Sequence, residues 1–486
     1  MKSTMWLSSL AGLALLGVGM VVHSGGQAPA APPTEALTGY DDESNGFADS
    51  SRRIADQNNF EEVEEIAPQG LGPLYNAQSC RECHQNPVTG AASQITELRV
   101  GHLDRHGQFQ NPEVPINEGQ EVIKNRNLIN DRAICPQIQE RVPDTETVRT
   151  TRIATSTLGD GYVEAIADRT LTKIRNDQCK ATHGKICGQA VMVPVPETEG
   201  QERIGRFGWK DQHASLLAFA ADAYLNEMGI TNRLQKVEVT TTCNPPVTTT
   251  VPNADTTKIT EPNSLPDATG LEDIDHFASF MRSLKAPARD EIAAATPEAK
   301  RGADLFRKIG CAICHVETIV TGNSPAVGGG TGLHPEAVEN RTIHPYSDFL
   351  LHNVGTGDGI PIALFEHFGR ERIERYLSQR ATTSPTTTGK TGGTPEDECS
   401  ESYQTAVLEG EKHPDLLRDT RCARKKVRTA PLWGLRVRSR LMHDGTSVEL
   451  ADAIERHKGE AAEVTEHYKK LKPAEQKALL AFLKSL

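Results

Sequence analysis

Apolar residues recur at helical spacing in several stretches of the chain and give way elsewhere to turns and short alternating runs. They predict a helix from about Ser215 to Met228, a second from Leu271 to Leu284, and a third through Gly302, Leu305 and Phe306. Another helix carries His457, and the last runs from Pro473 to Leu486. Pro287, just past the second, marks a stop or linker. Residues 95–170 mix β-like runs with turns, and residues 31–65 are polar and acidic, the composition of an extended arm. Residues 239–263, rich in Thr and Pro, and 382–394, rich in Thr and Gly, read as insertions rather than packed elements. Two of the helices end alike, in Phe280-Met-Arg-Ser-Leu284 and Phe482-Leu-Lys-Ser-Leu486. The pattern is that of an internal duplication.

Each half also carries one Cys-x-x-Cys-His, at Cys80-Arg-Glu-Cys83-His84 and at Cys311-Ala-Ile-Cys314-His315. Two thiols at this spacing can add to the vinyl groups along one porphyrin edge, and the adjacent His can supply iron with an axial nitrogen. A redox dithiol would leave both histidines unexplained, and a zinc site would want the four thiolates together, whereas the pairs lie in separate halves. The motifs therefore predict two covalently attached c-type haems, held by Cys80, Cys83, Cys311 and Cys314 with His84 and His315 on iron. The expected fold is mainly α: tandem cytochrome c-like haem domains with long irregular loops and a few short β-strands. The first domain spans 66–287 and the second 288–486.

The N-terminus has a basic start, an apolar segment from Met5 to Val22, and Ala28-Pro-Ala30. It reads as a secretory signal over residues 1–30, with a retained anchor as the alternative, and predicts a periplasmic protein with no membrane contact after cleavage. The net charge of −12 argues against nucleic acid and anionic membranes as partners and leaves room for a basic redox partner. Of the ten cysteines, Cys135, Cys179, Cys187, Cys243, Cys399 and Cys422 lie outside the motifs. An even remainder in an exported chain suggests disulfides, with Cys179–Cys187 and Cys399–Cys422 the locally plausible pairs.

The motifs, together with Asn76-Ala-Gln-Ser-Cys80, Gly205-Arg-Phe-Gly-Trp209-Lys210, Glu227-Met-Gly-Ile-Thr231, Ala430-Pro-Leu-Trp433-Gly434 and Leu441-Met-His443-Asp-Gly445, resemble the bacterial di-haem cytochrome c peroxidase superfamily. The chain is most similar to its di-haem oxidoreductase (thiol oxidoreductase-like) branch. The resemblance implies that the C-terminal haem relays electrons to an N-terminal haem that meets peroxide. It makes Trp209 the candidate inter-haem residue, with Trp433 a rival and packing on a porphyrin edge the alternative role. Glu227 falls where the family keeps a proton-moving Glu, two residues closer than the usual spacing. A carboxyl near a dry haem face would have a raised pKa, whereas a solvent-facing helix carboxylate is the ordinary alternative.

The sixth ligand of the second haem is usually Met in that family, and His457 stands at the position, with Met442 as the other candidate. A His/His iron is expected at lower potential than a His/Met one. For the first haem, His102 and His106 are the nearest candidates and Lys210 and His213 the next; if none binds, that iron is open. Related peroxidases hold calcium between domains, and a calcium is possible here although no ligand cluster stands out.

The expected function is peroxide reduction, or peroxide-driven oxidation of a small-molecule substrate or partner, fed by a small redox protein or other electron donor. A purely electron-transferring di-haem cytochrome is the alternative. Thiol oxidation by the surplus cysteines is a third reading.

Overall fold

The computed structural model describes residues 32–66, 70–198, 201–243, 265–325, 330–362 and 420–486. The predicted signal segment, the insertion at 382–394, Cys399 and most of 239–263 lie outside them, as does the Cys422 side chain.

The expected helices form where the apolar spacing placed them, and their ends have identifiable causes. Ser215 caps Leu216–Met228 by accepting from the Ala218 N–H, and Gly229 closes it at φ 69°. Thr296 caps Pro297–Ile309 in the same way, Pro297 occupies the first turn, and Gly310 ends the helix at φ 104°. The remaining two predicted helices are Asp273–Ser283 and Pro473–Leu483. His457 lies just past the short helix Leu450–Glu455 rather than on it.

Helices Pro297–Ile309 and Pro473–Leu483 cross closely because Gly302 has no side chain: a Cβ there would sit 2.0 Å from the Ala478 carbonyl oxygen. Phe306, Phe482 and Tyr346 fill the space beside the crossing, with Phe306 and Phe482 ring centroids 5.3 Å apart. Gly302→Ala must push the helices apart and is expected to cost about 1–3 kcal/mol. A denaturant midpoint equal to that of the wild type would contradict this packing.

The same contacts recur in the first half. Phe60 meets Phe280 at 4.6 Å, and it stands 6.2 Å from the His84 ring much as Phe306 stands 6.3 Å from His315. The repeated Phe-x-x-Ser-Leu endings also share one bond, Ser283 Oγ donating to the Phe280 carbonyl and Ser485 Oγ to that of Phe482. Phe60, however, belongs to a helix, Ser50–Glu61, inside the stretch expected to be an extended arm. That helix buries Arg53, Asp56 and Phe60, so its inward face is largely polar and its apolar periodicity weak.

The mainly α expectation is corrected by the strands. The described residues hold fifteen strands in six small sheets beside eleven α-helices. The central strand of the largest sheet, Thr96–Leu103, pairs antiparallel with Val148–Ile153 in a register that sets Glu97 opposite Arg152. It also pairs with Phe109–Gln110 and Leu128–Ile129. Some segments between helices close on themselves as short hairpins instead of remaining irregular, as Val114–Ile116 does with Glu121–Ile123 and Met192–Pro194 with Glu202–Ile204. The described residues of Pro33–Leu486 gather in one compact unit, so the tandem cytochrome c-like arrangement is not borne out. No helix of the described residues is long and apolar enough to cross a membrane.

Candidate functional site

The second motif opens directly after Gly310, with Cys311–Ile313 as a single tight turn. Cys311, Cys314, His315, Met442, His443 and His457 line one large, mostly apolar cavity. His315 Nδ1 is 2.9 Å from the Tyr346 carbonyl oxygen, and His457 Nδ1 is 2.7 Å from that of Ala453. In each ring Nδ1–H donates to the backbone carbonyl, which leaves Nε2 with a free lone pair, the arrangement that metal-binding imidazoles need. Burial lowers both rings, His315 to about 4, so each is neutral at neutral pH. Met442, at φ 65°, sits in the turn before His443.

The first motif begins on a short helix, Cys80–Cys83, capped by Ser79. His84 is pulled down to about 4 by burial, and its Nδ1 is buried without a well-formed hydrogen bond. The four motif thiols are unpaired, whereas Cys179–Cys187 and Cys135–Cys243 are disulfide-bonded. The first of these bonds is the local pair read from the sequence; the second joins residues 108 apart and left no sequence signal. Burial raises Cys83 and Cys311 to about 12, so these are neutral thiols rather than reactive thiolates. Pairs of half-buried neutral thiols, each followed by a neutral imidazole, fit two haems.

Glu227 is brought beside the first motif. Its Oε2 accepts from Asn76 Nδ2 at 2.7 Å, and its backbone carbonyl accepts from the N–H groups of Asn76 and Ala77. Burial, and then the neighbouring Glu97, raise its carboxyl. Glu97 is held low: burial opposes this, but Arg99 at 2.9 Å and Arg152 at 3.8 Å outweigh it. Of two adjacent carboxyls, Glu227 therefore keeps the proton. Glu97 carries no signal in the sequence, because only tertiary packing brings its strand against the helix of Glu227.

Trp209 and Trp433 both line the large cavity, which also reaches Asn86, Ser93 and Gln94 beyond the first motif. Trp209 Nε1 donates to the Ile153 carbonyl at 2.8 Å, and the Ile153 N–H donates to the His443 carbonyl at 2.8 Å. One strand residue thus fixes the indole and the His443 turn together, with the two rings edge-to-face at 6.2 Å. Next to each partner stands a buried cation. Arg152 Nη2 lies 2.8 Å from Asp358 Oδ2, and Lys210 Nζ lies 2.7 Å from Asp358 Oδ1.

The candidates for a sixth ligand on the first iron are engaged elsewhere. Lys210 is held by Asp358 and by the carbonyls of Ala423, Arg424 and Lys426. His213 pairs with Asp222, His102 with Glu146, and His106 accepts from Arg105.

A further group, Cys314, Asp348 and His352, brings ligating atoms within 4.8 Å of one another. It is a thiol–imidazole–carboxylate set, unlike the all-oxygen shell calcium takes, and it shares Cys314 with the second motif. His352 is clamped between Asp348 and Glu460, each at 2.9 Å.

Residues 121–392, more than half of the chain, match the family described as "Di-haem oxidoreductase, putative peroxidase". The chain belongs to this di-haem oxidoreductase family, and it is accordingly a peroxidase-like enzyme of a two-haem class. No curated protein matches it. Among solved structures, the diheme peroxidase BthA from Burkholderia thailandensis is 14% identical, covering 94% of this chain and 95% of its own, with a TM-score of 0.37. Hydrazine synthase from Kuenenia stuttgartiensis is 15% identical, covering 97% of this chain and 100% of its own, with a TM-score of 0.35.

Proposed function

We propose that the protein is an exported, periplasmic c-type enzyme that reduces peroxide, or uses it to oxidise a substrate, with electrons from a small redox protein. Cys80 and Cys83 would tether one haem with His84 on its iron, and Cys311 and Cys314 the other with His315. When bound, the haems supply electron storage at the C-terminal site and peroxide reduction at the N-terminal one. The observation that carries this reading is the matched pair His315 and His457. Both rings line the cavity of the second motif, and both have Nδ1 committed to a backbone carbonyl. That supports two strong imidazole ligands there and a relay rather than a reactive role, with Met442 left as lining.

The side chains considered as a sixth ligand for the first iron, His102, Lys210 and His213, are already paired, which supports an iron with one free face. Glu227 would deliver and recover the proton, its acidity set by burial and Glu97. Trp209 would stand as the inter-haem residue, its indole N–H anchored on Ile153 so that the ring cannot turn.

The test is the spin-state spectrum of the as-isolated and half-reduced protein with and without peroxide. One high-spin iron that responds to peroxide and one low-spin iron that does not are expected. Two low-spin irons indifferent to peroxide would instead establish the electron-transfer alternative.

A further inference from the structure

A second, smaller cavity adjoins the large one and shares Asn86, Ser156, Trp433 and Arg438 with it, adding Tyr40. One of its polar groups lacks the partner its burial demands, and a second, half-buried one carries a charge that no neighbouring anion among the described residues balances. Arg438 makes one hydrogen bond, from Nη2 to the Trp433 carbonyl at 3.0 Å, and no ion pair among the described residues. Burial lowers this guanidinium to about 10. Tyr40 Oη is buried with no hydrogen-bond partner among the described residues. A half-buried guanidinium without a counter-ion and a buried hydroxyl without a partner are both costly, so a ligand that completes the two is favoured. The large cavity offers no substitute: its described lining has a single carboxyl, Asp160, which burial pushes up to about 7 and which acts on Arg428 instead.

A planar fork of N–H donors with an O–H beside it is the donor set that a carboxylate takes. The cavity that holds the fork also holds Cys311, Cys314 and His315, so a carboxylate carried by a tetrapyrrole tethered there is the nearest one available. We propose that Arg438 and Tyr40 form a carboxylate-binding site that receives a haem propionate. The assignment rests on the di-haem reading above. Arg438 is a charge-neutralising residue in this role: it keeps the propionate ionised, so that an electron enters the iron without a proton following.

The site is tested on the purified protein by redox titration of each haem at several pH values, in wild type, Arg438→Met, Arg438→Lys and Tyr40→Phe. Haem content is measured first. In Arg438→Met one haem should fall in midpoint potential where its propionate is ionised, since the bare carboxylate favours ferric iron. The same haem should become pH-dependent near neutrality, one proton binding the propionate for each electron entering the iron. Arg438→Lys should restore most of the wild-type behaviour, and Tyr40→Phe should show a smaller shift in the same haem. Tyr40→Phe keeps the test open should Arg438→Met fail to fold. Two haems per chain with unaltered potentials and pH profiles in both would overturn the site alone, and so would a change that appears only with added acetate, which would mark a free-carboxylate site. A wild-type protein without haem would overturn the underlying reading and the site with it.

Discussion

Glu227→Gln is expected to lower peroxide turnover by about 10²–10⁴-fold, the usual loss when a positioned acid–base group is removed. The amide keeps the size of the side chain and can still meet Asn76, so the fold and both haem spectra should be unchanged. The proton is the difference. Burial and the adjacent Glu97 carboxylate raise the Glu227 pKa, so the carboxyl stays neutral at a pH where an exposed Glu is ionised. A carboxylic-acid C=O band should therefore be present in the infrared spectrum at neutral pH, fade as pH rises through the raised pKa, and be missing from Glu227→Gln. Glu97→Gln removes the like charge and should move that titration to lower pH. Full turnover in Glu227→Gln would remove the residue from the chemistry.

The second large effect belongs to stability. Asp358 is almost fully buried between Arg152 and Lys210 and is the anion both depend on. Asp358→Leu leaves Lys210 with carbonyl partners only and Arg152 with Glu97 at 3.8 Å. Removing one partner of such a buried network is expected to cost about 3–5 kcal/mol, and the double variant Asp358→Leu/Lys210→Met should recover part of it. Burial alone would raise the Asp358 carboxyl, but Lys210 and then Arg152 outweigh it and hold it at about 2. Its contribution is present above the unfolded carboxylate pKa of about 3.9 and is lost as pH falls through the folded value. Denaturant midpoints for the two variants between neutral and acid pH measure this directly. Asp358→Leu as stable as wild type would mean that the two cations do not need it.

The helices and both Cys-x-x-Cys-His motifs were legible because their signals are local. A Cys-x-x-Cys-His needs no tertiary information, and Phe-x-x-Ser-Leu encodes a bond within four residues. What escaped is long-range or polar. The helix Ser50–Glu61 buries Arg53 and Asp56, and the Asp56 side chain meets His276 at 2.7 Å across 220 residues of chain. Glu97 meets Arg152 through strand register and Glu227 through the packing of that strand against a helix, and Asp358 finds Arg152 across 206 residues. The sheets were under-read for the same reason: short strands carry too few alternations to outweigh neighbouring turns. Glu227 and Trp209 were reached from motif resemblance, and neither position is distinguished by composition or periodicity.

Tethering of a porphyrin by each half through its own pair of thiols is read out by intact mass under denaturing conditions. The mature chain is expected to be heavier than its polypeptide by two haem groups, with Cys80→Ala/Cys83→Ala and Cys311→Ala/Cys314→Ala each losing one of them. A mass equal to the bare polypeptide would contradict it.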